Sequence, residues 1–313
     1  MTALVTVGVV LLLLALAIWT VVAREAFLAI AGFIAYGLLL SLVWVRLYGI
    51  DVAMTEAAIG GGLTGALLIG ATSRLRGTEA ATWAQRCGAP TRAAAFVVSA
   101  LVAGALALCV LLLPDPAPTL APEVSADIAA TGVGKPITAV LLAFRAVDTL
   151  LEAIVLVIAL IGVWSLAADG FWGGRPGVLH HADPDGIFAY FARVLAPIGV
   201  IVAVYIVWVG ADHPGGKFQG ATLLAAMWLL LMMAGLADAP PISRTSLRIG
   251  LVVGPLVFIA IGFAGVLDPG AFLAYPDGFA KPLIVAIELA LTPSLTLILA
   301  LLLAGAPERG LPP

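Results

Sequence analysis

The chain has 313 residues, of which 63% are hydrophobic and only 11% are charged, and its formal net charge is −3. A soluble domain carries roughly 25% charged residues, so this composition excludes an ordinary soluble protein. A negative net charge also gives no indication of nucleic-acid binding. The apolar runs last about 20 residues, as in helices that cross the hydrocarbon core, whereas barrel strands would alternate apolar and polar residues. The predicted fold class is therefore all-α, polytopic and transmembrane.

Nine spans are predicted in chain order. They lie near residues 3–23, 26–47, 52–72, 93–113, 137–167, 188–209, 218–236, 247–267 and 282–304. Glycine, proline and charged residues mark the breaks between them. The first span lacks a basic n-region and a small-residue cleavage site, which favours a retained helix over a signal peptide.

The distribution of basic residues predicts the orientation. Ten arginines lie in segments on one side, and four basic residues, Arg46, Lys135, Lys217 and Lys281, lie on the other. Because cytoplasmic loops are enriched in lysine and arginine, the N-terminus is expected outside and the C-terminus in the cytoplasm.

The loops carry no motif for a cofactor. The chain has no GxxxxGK[ST], CxxC or HExxH sequence, and Cys87 and Cys109 do not form a disulfide framework. The adjacent His180 and His181 lack further metal ligands, so an exposed polar loop is the favoured interpretation. The sequence predicts no nucleotide, redox or metal site, which leaves movement of ions as the chemistry.

The fifth predicted span contains three ionisable residues. Arg145, Asp148 and Glu152 are spaced i, i+3 and i+7, which places them on one stripe of a continuous helix. Charges at membrane depth usually face a protein interior or a water-filled path, so the triad could relay protons or cations. The alternative is a structural ion pair between Arg145 and Asp148, with Glu152 freer to titrate.

Two other spans contain a single carboxylate each. Glu56 precedes a run of glycines that permits close helix approach or a local bulge. Those glycines are Gly60, Gly61, Gly62 and Gly65. Glu288 precedes Pro293, which weakens the last helix beside the carboxylate. Each carboxylate is either an ion site or a protonated group at a helix interface.

A short hairpin joins the sixth and seventh spans. Its candidate residues are His213, Pro214, Gly215, Gly216, Phe218, Gln219 and Gly220. Two glycines after a proline allow a tight turn with positive φ. His213 titrates near physiological pH and could collect protons at an outer mouth, although a polar connection between two helices is the alternative.

Three segments resemble subunits of one family. DVAMTEAAIGGGLTGALL resembles the DUF4040-type segment of Mrp-type cation/proton antiporters and membrane-bound hydrogenases. PITAVLLAFRAVDTLLEAIVLVIALIGV is similar to the next segment of those proteins, whose typical form is FRGFDTLGE. The region after about residue 188 resembles the MrpB component of the antiporter, whose hairpin usually reads PGGGFQGG and whose last helix has an I-E-hydrophobic motif at the position of Glu288.

The resemblance implies three parts: a DUF4040/MbhD-like three-helix segment over 1–75, an MbhE-like two-helix segment over 76–170, and an MrpB-like four-helix module over 171–313. Their implied function is that of a membrane subunit of a multisubunit Na⁺/H⁺ antiporter in the inner (plasma) membrane of a prokaryote. The transported ions would be H⁺ and Na⁺, without a cofactor. The partners would be large antiporter-like subunits and membrane lipid. The ion path would use Glu56, Arg145, Asp148, Glu152 and Glu288.

Two alternative functions stay open at this point. The same parts occur in ion-pumping complexes driven by redox energy, and a scaffold subunit could have them without conducting ions. Some positions depart from the family pattern, among them Ala146, Val147, Leu151, Lys217 and Ala221, where the family has Gly, Phe, Gly, Gly and Gly.

The predicted orientation can be tested by cysteine labelling. In a background with Cys87 and Cys109 replaced by Ser, a cysteine within residues 115–130 is expected to react with an impermeant maleimide added outside the cell. A cysteine within residues 77–90 is expected to react only after the membrane is opened. The reverse pattern would overturn the orientation.

Overall fold

The architecture is that of a helical membrane protein with almost no strand. The structure, a computed structural model, describes residues 2–84, 88–177, 183 and 185–310. Its α-helices in the first half are α1 (Thr2–Val22), α2 (Ala26–Arg46), α3 (Ile50–Thr55), α4 (Thr64–Ala84), α5 (Ala89–Leu111), α6 (Ala121–Thr131), α7 (Pro136–Ala139) and α8 (Ala146–Trp164). Those in the second half are α9 (Ile187–Val209), α10 (Lys217–Met233), α11 (Thr245–Leu267) and α12 (Ala280–Ala304).

Three helical segments depart from α geometry. A π-helix, Glu56–Leu63, joins α3 to α4, and a second, Val140–Phe144, follows α7. A short 3₁₀ turn covers Asp169–Phe171. Two short strands, β1 (Arg175–Pro176) and β2 (Pro307–Arg309), pair antiparallel. His180 and His181 lie outside the described residues.

The all-α, multi-pass prediction is confirmed. Within the described part of the chain, eight helices are long and apolar enough to cross a membrane, or nine if one bent pair is a single span. That pair, α6 and the segment Pro136–Phe144, bends by 84°. Helix α6 lies where the sequence analysis predicted only a loop. The seventh predicted span, 218–236, corresponds to α10, which has only 17 residues.

Helix α12 forms the centre of the molecule. Ile284, Ile287 and Leu291 on this helix are completely buried, and α8, α10 and α11 pack around it. Gly254 lets α11 approach closely, because a Cβ there would lie 2.8 Å from the Cα of Leu291. The Gly254 N–H donates to the Ser294 hydroxyl at 3.0 Å, so the contact is hydrogen-bonded as well as close. By contrast, no residue of α5 is buried within this chain.

A charged cluster joins segments at the end opposite the hairpin. Arg309 contacts both carboxylate oxygens of Asp238, at 2.6 and 3.0 Å, and Arg175 donates to Asp238 at 2.8 Å. Because β1 and β2 pair beside it, the cluster joins the segment after α8 to the segment after α12. The hydrogen bond from Arg309 holds the pKa of Asp238 below its usual range.

Asp238→Asn is expected to lower the melting temperature of the purified protein at neutral pH. A depressed carboxyl pKa contributes stability above the ordinary Asp value of about 3.9, and this contribution is lost as the pH falls through the lowered folded-state value. Thermal unfolding of wild type and variant should therefore differ from pH 8 to 5 and converge in stronger acid. Asp277→Asn is the control, and an equal effect from it, or a difference that persists in acid, would contradict the role of this cluster.

Candidate functional site

The helix predicted over 137–167 is interrupted at Arg145. That residue has φ −132° and ψ 39°, outside the helical region, and it separates the second π-helix from α8. Two carbonyl groups beside the break accept side-chain hydrogen bonds: Leu141 from the Thr149 hydroxyl and Leu142 from the Tyr275 hydroxyl, both at 2.6 Å. Burial raises the pKa of the Tyr275 phenol, so the hydroxyl keeps the proton that it donates.

The structure separates the three residues of the predicted stripe. Arg145 and Asp148 do form an ion pair at 2.6 Å, but their side chains are 71% and 50% exposed. The pair lies at the N-terminal end of α8, whose 19 residues are sufficient to span a membrane alone. A carboxylate in the first helical turn is favoured by the helix dipole, which accounts for Asp148 without an ion path. Of the three, only Glu152, one helical turn further along α8, lies beside a group of ionisable side chains inside the protein.

Those charges surround a cavity of about 270 Å³. Five ionisable side chains line it, and each comes from a different element: Asp51, Lys135, Glu152, Lys217 and Glu288. The other lining residues include hydroxyl, amide and aliphatic groups. Its exposed lining side chains are Val52, Ile137, Leu141 and Glu152. The cavity therefore opens to the surface of this chain beside Glu152.

Asp51, Lys135 and the hairpin form a closed, buried ring. The Lys135 ammonium contacts the Asp51 carboxylate at 2.5 Å and donates to the Gly215 carbonyl at 2.9 Å. The Gly215 N–H donates in return to Asp51 at 3.0 Å. Both charged side chains are about nine-tenths buried. Since each member has two partners, neither charge is left unsatisfied inside the protein.

The hairpin depends on its two glycines. Gly215 and Gly216 have φ values of +147° and +126°. A Cβ on Gly215 would lie 2.4 Å from the Ile206 carbonyl oxygen, which accepts the Gly216 N–H at 3.0 Å. The Gln219 amide then donates to the Thr55 hydroxyl at 3.0 Å, which fixes the start of α10 against α3.

The polar end of the hairpin is exposed. His213 and Pro214 face the surface, so His213 is not part of the buried cluster. Beside it, Lys281 bonds both Asp212 oxygens at 2.7 and 2.8 Å. This contact, with the Gly134 N–H, holds the pKa of Asp212 below its usual range.

Glu288 and Lys217 lie at the start of α10. Glu288 is 5% exposed, and its Oε1 accepts the Lys217 N–H at 3.4 Å, so the carboxylate faces a helix N-terminus. The Lys217 residue is 4% exposed, and its ammonium lies 5.0 Å from the centre of the Phe218 ring. Among the described residues this ammonium has no hydrogen bond or ion pair. The carboxylates of Glu288 and Glu152 line the same cavity.

Glu56 is separate from this cluster. It begins the first π-helix and lies beside Gly60, where a Cβ would be 2.4 Å from its Oε1. Gly37 of α2 packs against Gly61, where a Cβ on Gly37 would lie 3.1 Å from the Gly61 Cα. The glycine run therefore permits both a bulge and a close helix contact, the two possibilities left open by the sequence.

Three members of the cluster were not predicted from the sequence: Asp51, Lys135 and Lys217. All three lie at the edges of apolar segments, and the two lysines were counted as loop charges. The sequence contains one signal for the burial of Lys217, because this residue follows two glycines that allow the chain to turn back into the protein. Phe218 and Gln219 line the cavity, whereas Gly220 packs α10 against α9, where a Cβ would meet Val207.

These features define a polytopic helical membrane protein with a buried cluster of ionisable groups at one end of its core helices. Residues 11–77 match the family model MbhD, which describes one of the subunits of MBH. Residues 187–306 match the model described as a domain related to the MnhB subunit of Na⁺/H⁺ antiporter. The chain thus combines an MbhD-type segment with an MnhB-related domain. The boundaries at residues 75 and 170, and the MbhE-like assignment of 76–170, stay predictions.

Two proteins are similar to this chain over part of their own length. A structure of the Mrp complex from Dietzia sp. DQ12-45-1b matches with a TM-score of 0.72 and 22% identity, over 97% of this chain and 35% of that one. Uncharacterized protein MJ1307 of Methanocaldococcus jannaschii is 30% identical over an alignment of 152 residues, and the match covers 44% of this chain and 58% of that protein. The chain therefore spans less than two thirds of either relative.

Gly215→Val is expected to prevent assembly rather than alter ion selectivity. A β-branched side chain resists positive φ and would collide with the Ile206 carbonyl. The yield of folded protein, measured by size-exclusion chromatography in detergent, should fall sharply. Gly162→Val is the matched control, because a Cβ at Gly162 meets no atom within 4 Å. Normal yield for Gly215→Val with changed selectivity would instead identify the hairpin as a filter.

Proposed function

We propose that this chain is a membrane subunit of a multisubunit cation/proton antiporter and that its charged cavity belongs to the ion path. The MnhB-related domain and the fold shared with part of an Mrp complex support this assignment. Na⁺ as the cation, large antiporter-like subunits as partners and the prokaryotic plasma membrane as the location belong to the same proposal.

The observation that carries the proposal is the Lys217 ammonium. The Lys217 residue is 4% exposed, its ammonium has no hydrogen bond or ion pair among the described residues, and it lines a cavity with Glu152 and Glu288. A buried charge without a partner is costly, and intramembrane ionisable groups are typical of ion and proton pathways. A cavity of this size with five ionisable side chains in its lining accommodates several waters, each of which occupies about 30 Å³ in the liquid. Waters here would satisfy the ammonium and connect it to both carboxylates.

The net charge of the cluster allows it to bind one more positive charge. Asp51 and Lys135 neutralise each other in their ion pair. With Glu152, Lys217 and Glu288 all ionised, the remaining charge is −1. Binding of one proton or one monovalent cation makes the cluster neutral. The site would therefore exchange a single charge at a time, with Glu152 as the group nearest the opening.

The proposal revises the predicted ion path. Glu152 and Glu288 remain in it, joined by Lys217. Arg145 and Asp148 lie at the exposed end of α8 and are removed from it. Glu56 does not line the cavity, so its part in ion transport stays a separate prediction.

A second candidate function is favoured by the match to the MbhD model, since MBH is the complex that this model describes. The same cavity could serve an ion-pumping complex that is driven by redox chemistry in another subunit. Purification of the intact complex separates the two functions, because a redox-driven complex would contain a subunit with metal clusters.

Glu152→Gln is expected to reduce Na⁺-dependent proton exchange by at least about tenfold, since the amide keeps the shape but cannot carry a proton. Exchange would be measured in everted vesicles from cells that express the whole complex, with subunit stoichiometry determined on the same sample. Full exchange by an assembled Glu152→Gln complex over a broad pH range would remove Glu152 from the path and favour a scaffold role.

Asp148→Asn is the matched control for this experiment. It removes a carboxylate one helical turn away, from an exposed ion pair of the kind that contributes only about 0–1 kcal/mol. Exchange and assembly should stay close to wild type. A loss as large as that of Glu152→Gln would return Asp148 to the ion path.

A further inference from the structure

A buried lysine lines the cavity. Lys217 is the first residue of α10, and its side chain is buried in the same cavity as Glu152 and Glu288. Its contact with the Phe218 ring directs the ammonium into the protein. No described carboxylate forms an ion pair with it, although both glutamates line the same cavity.

The side-chain oxygens that line the cavity differ in whether they are already engaged in hydrogen bonds or ion pairs. Asp51 is held by Lys135 and the Gly215 N–H, and Glu288 Oε1 accepts the Lys217 N–H. The Thr138 hydroxyl donates to the Gly210 carbonyl. Among the described residues, Glu152 is the carboxylate of the cluster that has no hydrogen bond or ion pair. An entering ion therefore meets one free carboxylate.

We propose that this site accepts protons and excludes Na⁺, because the Lys217 ammonium already supplies the positive charge that a bound cation would give the two glutamates. The inference rests on the proposed ion-path function and names the ion that uses this part of the path. Na⁺ would then cross the complex elsewhere.

The two ions differ in what they require of the site. A free cation would share a small cavity with the ammonium of Lys217 and lie close to that of Lys135, and like charges at short range repel strongly inside a protein. It would also need several oxygen ligands in place of its water. A proton forms a bond with one carboxylate oxygen of Glu152 or Glu288. It neutralises the excess negative charge without needing a coordination shell.

The test uses dicyclohexylcarbodiimide, which modifies protonated carboxyl groups in apolar surroundings. Whole complex in native membranes would be treated at several pH values in sodium chloride or choline chloride, and modification of Glu152 and Glu288 quantified by mass spectrometry. In wild type the rate should fall as the pH rises and should be the same in both salts. Protection by Na⁺ in wild type would overturn the proposal.

Two substitutions make the test specific to the charge of Lys217. Lys217→Gln removes the ammonium, so Na⁺ should now slow modification of Glu152 several-fold. Lys217→Arg keeps a positive charge and should stay insensitive to Na⁺. An assembled Lys217→Gln complex that remains insensitive would also overturn the proposal. If the Lys217→Gln complex does not assemble, the comparison of sodium chloride with choline chloride in wild type tests the proposal by itself.

The labelling result is independent of the proposed function. It reports which ion occupies the carboxylates, whereas the Glu152→Gln experiment reports whether they are needed for exchange. If the Glu152→Gln complex retains proton exchange, the proposed ion-path function is wrong, even when Na⁺ does not protect the wild-type glutamates from modification. Na⁺ protection in wild type would defeat the present inference even where Glu152 is essential.

Discussion

The buried contact of Asp51 with Lys135 and Gly215 is the interaction on which the site depends. Its members belong to three distant parts of the chain: α3, the loop before α7, and the hairpin before α10. Removing one member of such a buried pair costs about 3–5 kcal/mol, because the other charge is left without a partner. The contact holds the hairpin at a fixed depth, and the hairpin sets where α10 begins.

The start of α10 in turn places the functional charges. Gly216 adopts a φ that favours glycine, so the chain reverses within two residues and the Lys217 N–H reaches Glu288 on α12. A longer connection would leave Lys217 in water, as the sequence alone suggested. Helix α10 begins at this turn and has 17 residues. The length of α10, the backbone conformation of the hairpin and the burial of Lys217 therefore depend on one another.

Hydropathy predicted the long apolar helices but neither α6 nor the site. Apolar length identifies a span because the membrane core has a fixed thickness, and Glu288 and Glu152 were found as charges within such spans. The break at Arg145 could not be found in this way, since the hydroxyl that bonds Leu142 comes from Tyr275, 133 residues away. Lys135 and Lys217 were missed because a buried lysine at a helix end has the same local sequence as a loop lysine.

The polar cluster is confined to one end of the helices, which explains why such a chain would work with other subunits. Beyond Glu288, the buried residues Leu291, Leu295 and Ile298 fill the core of α12. The hydroxyls of Thr292 and Thr296 donate to carbonyls of their own helix, so they do not extend the cluster. A proton at Glu152 has polar surroundings toward the cavity and its opening, but an apolar core separates it from the opposite end. In the proposed function, this chain would therefore provide half of a path, and the crossing would be completed where Glu152 meets neighbouring subunits.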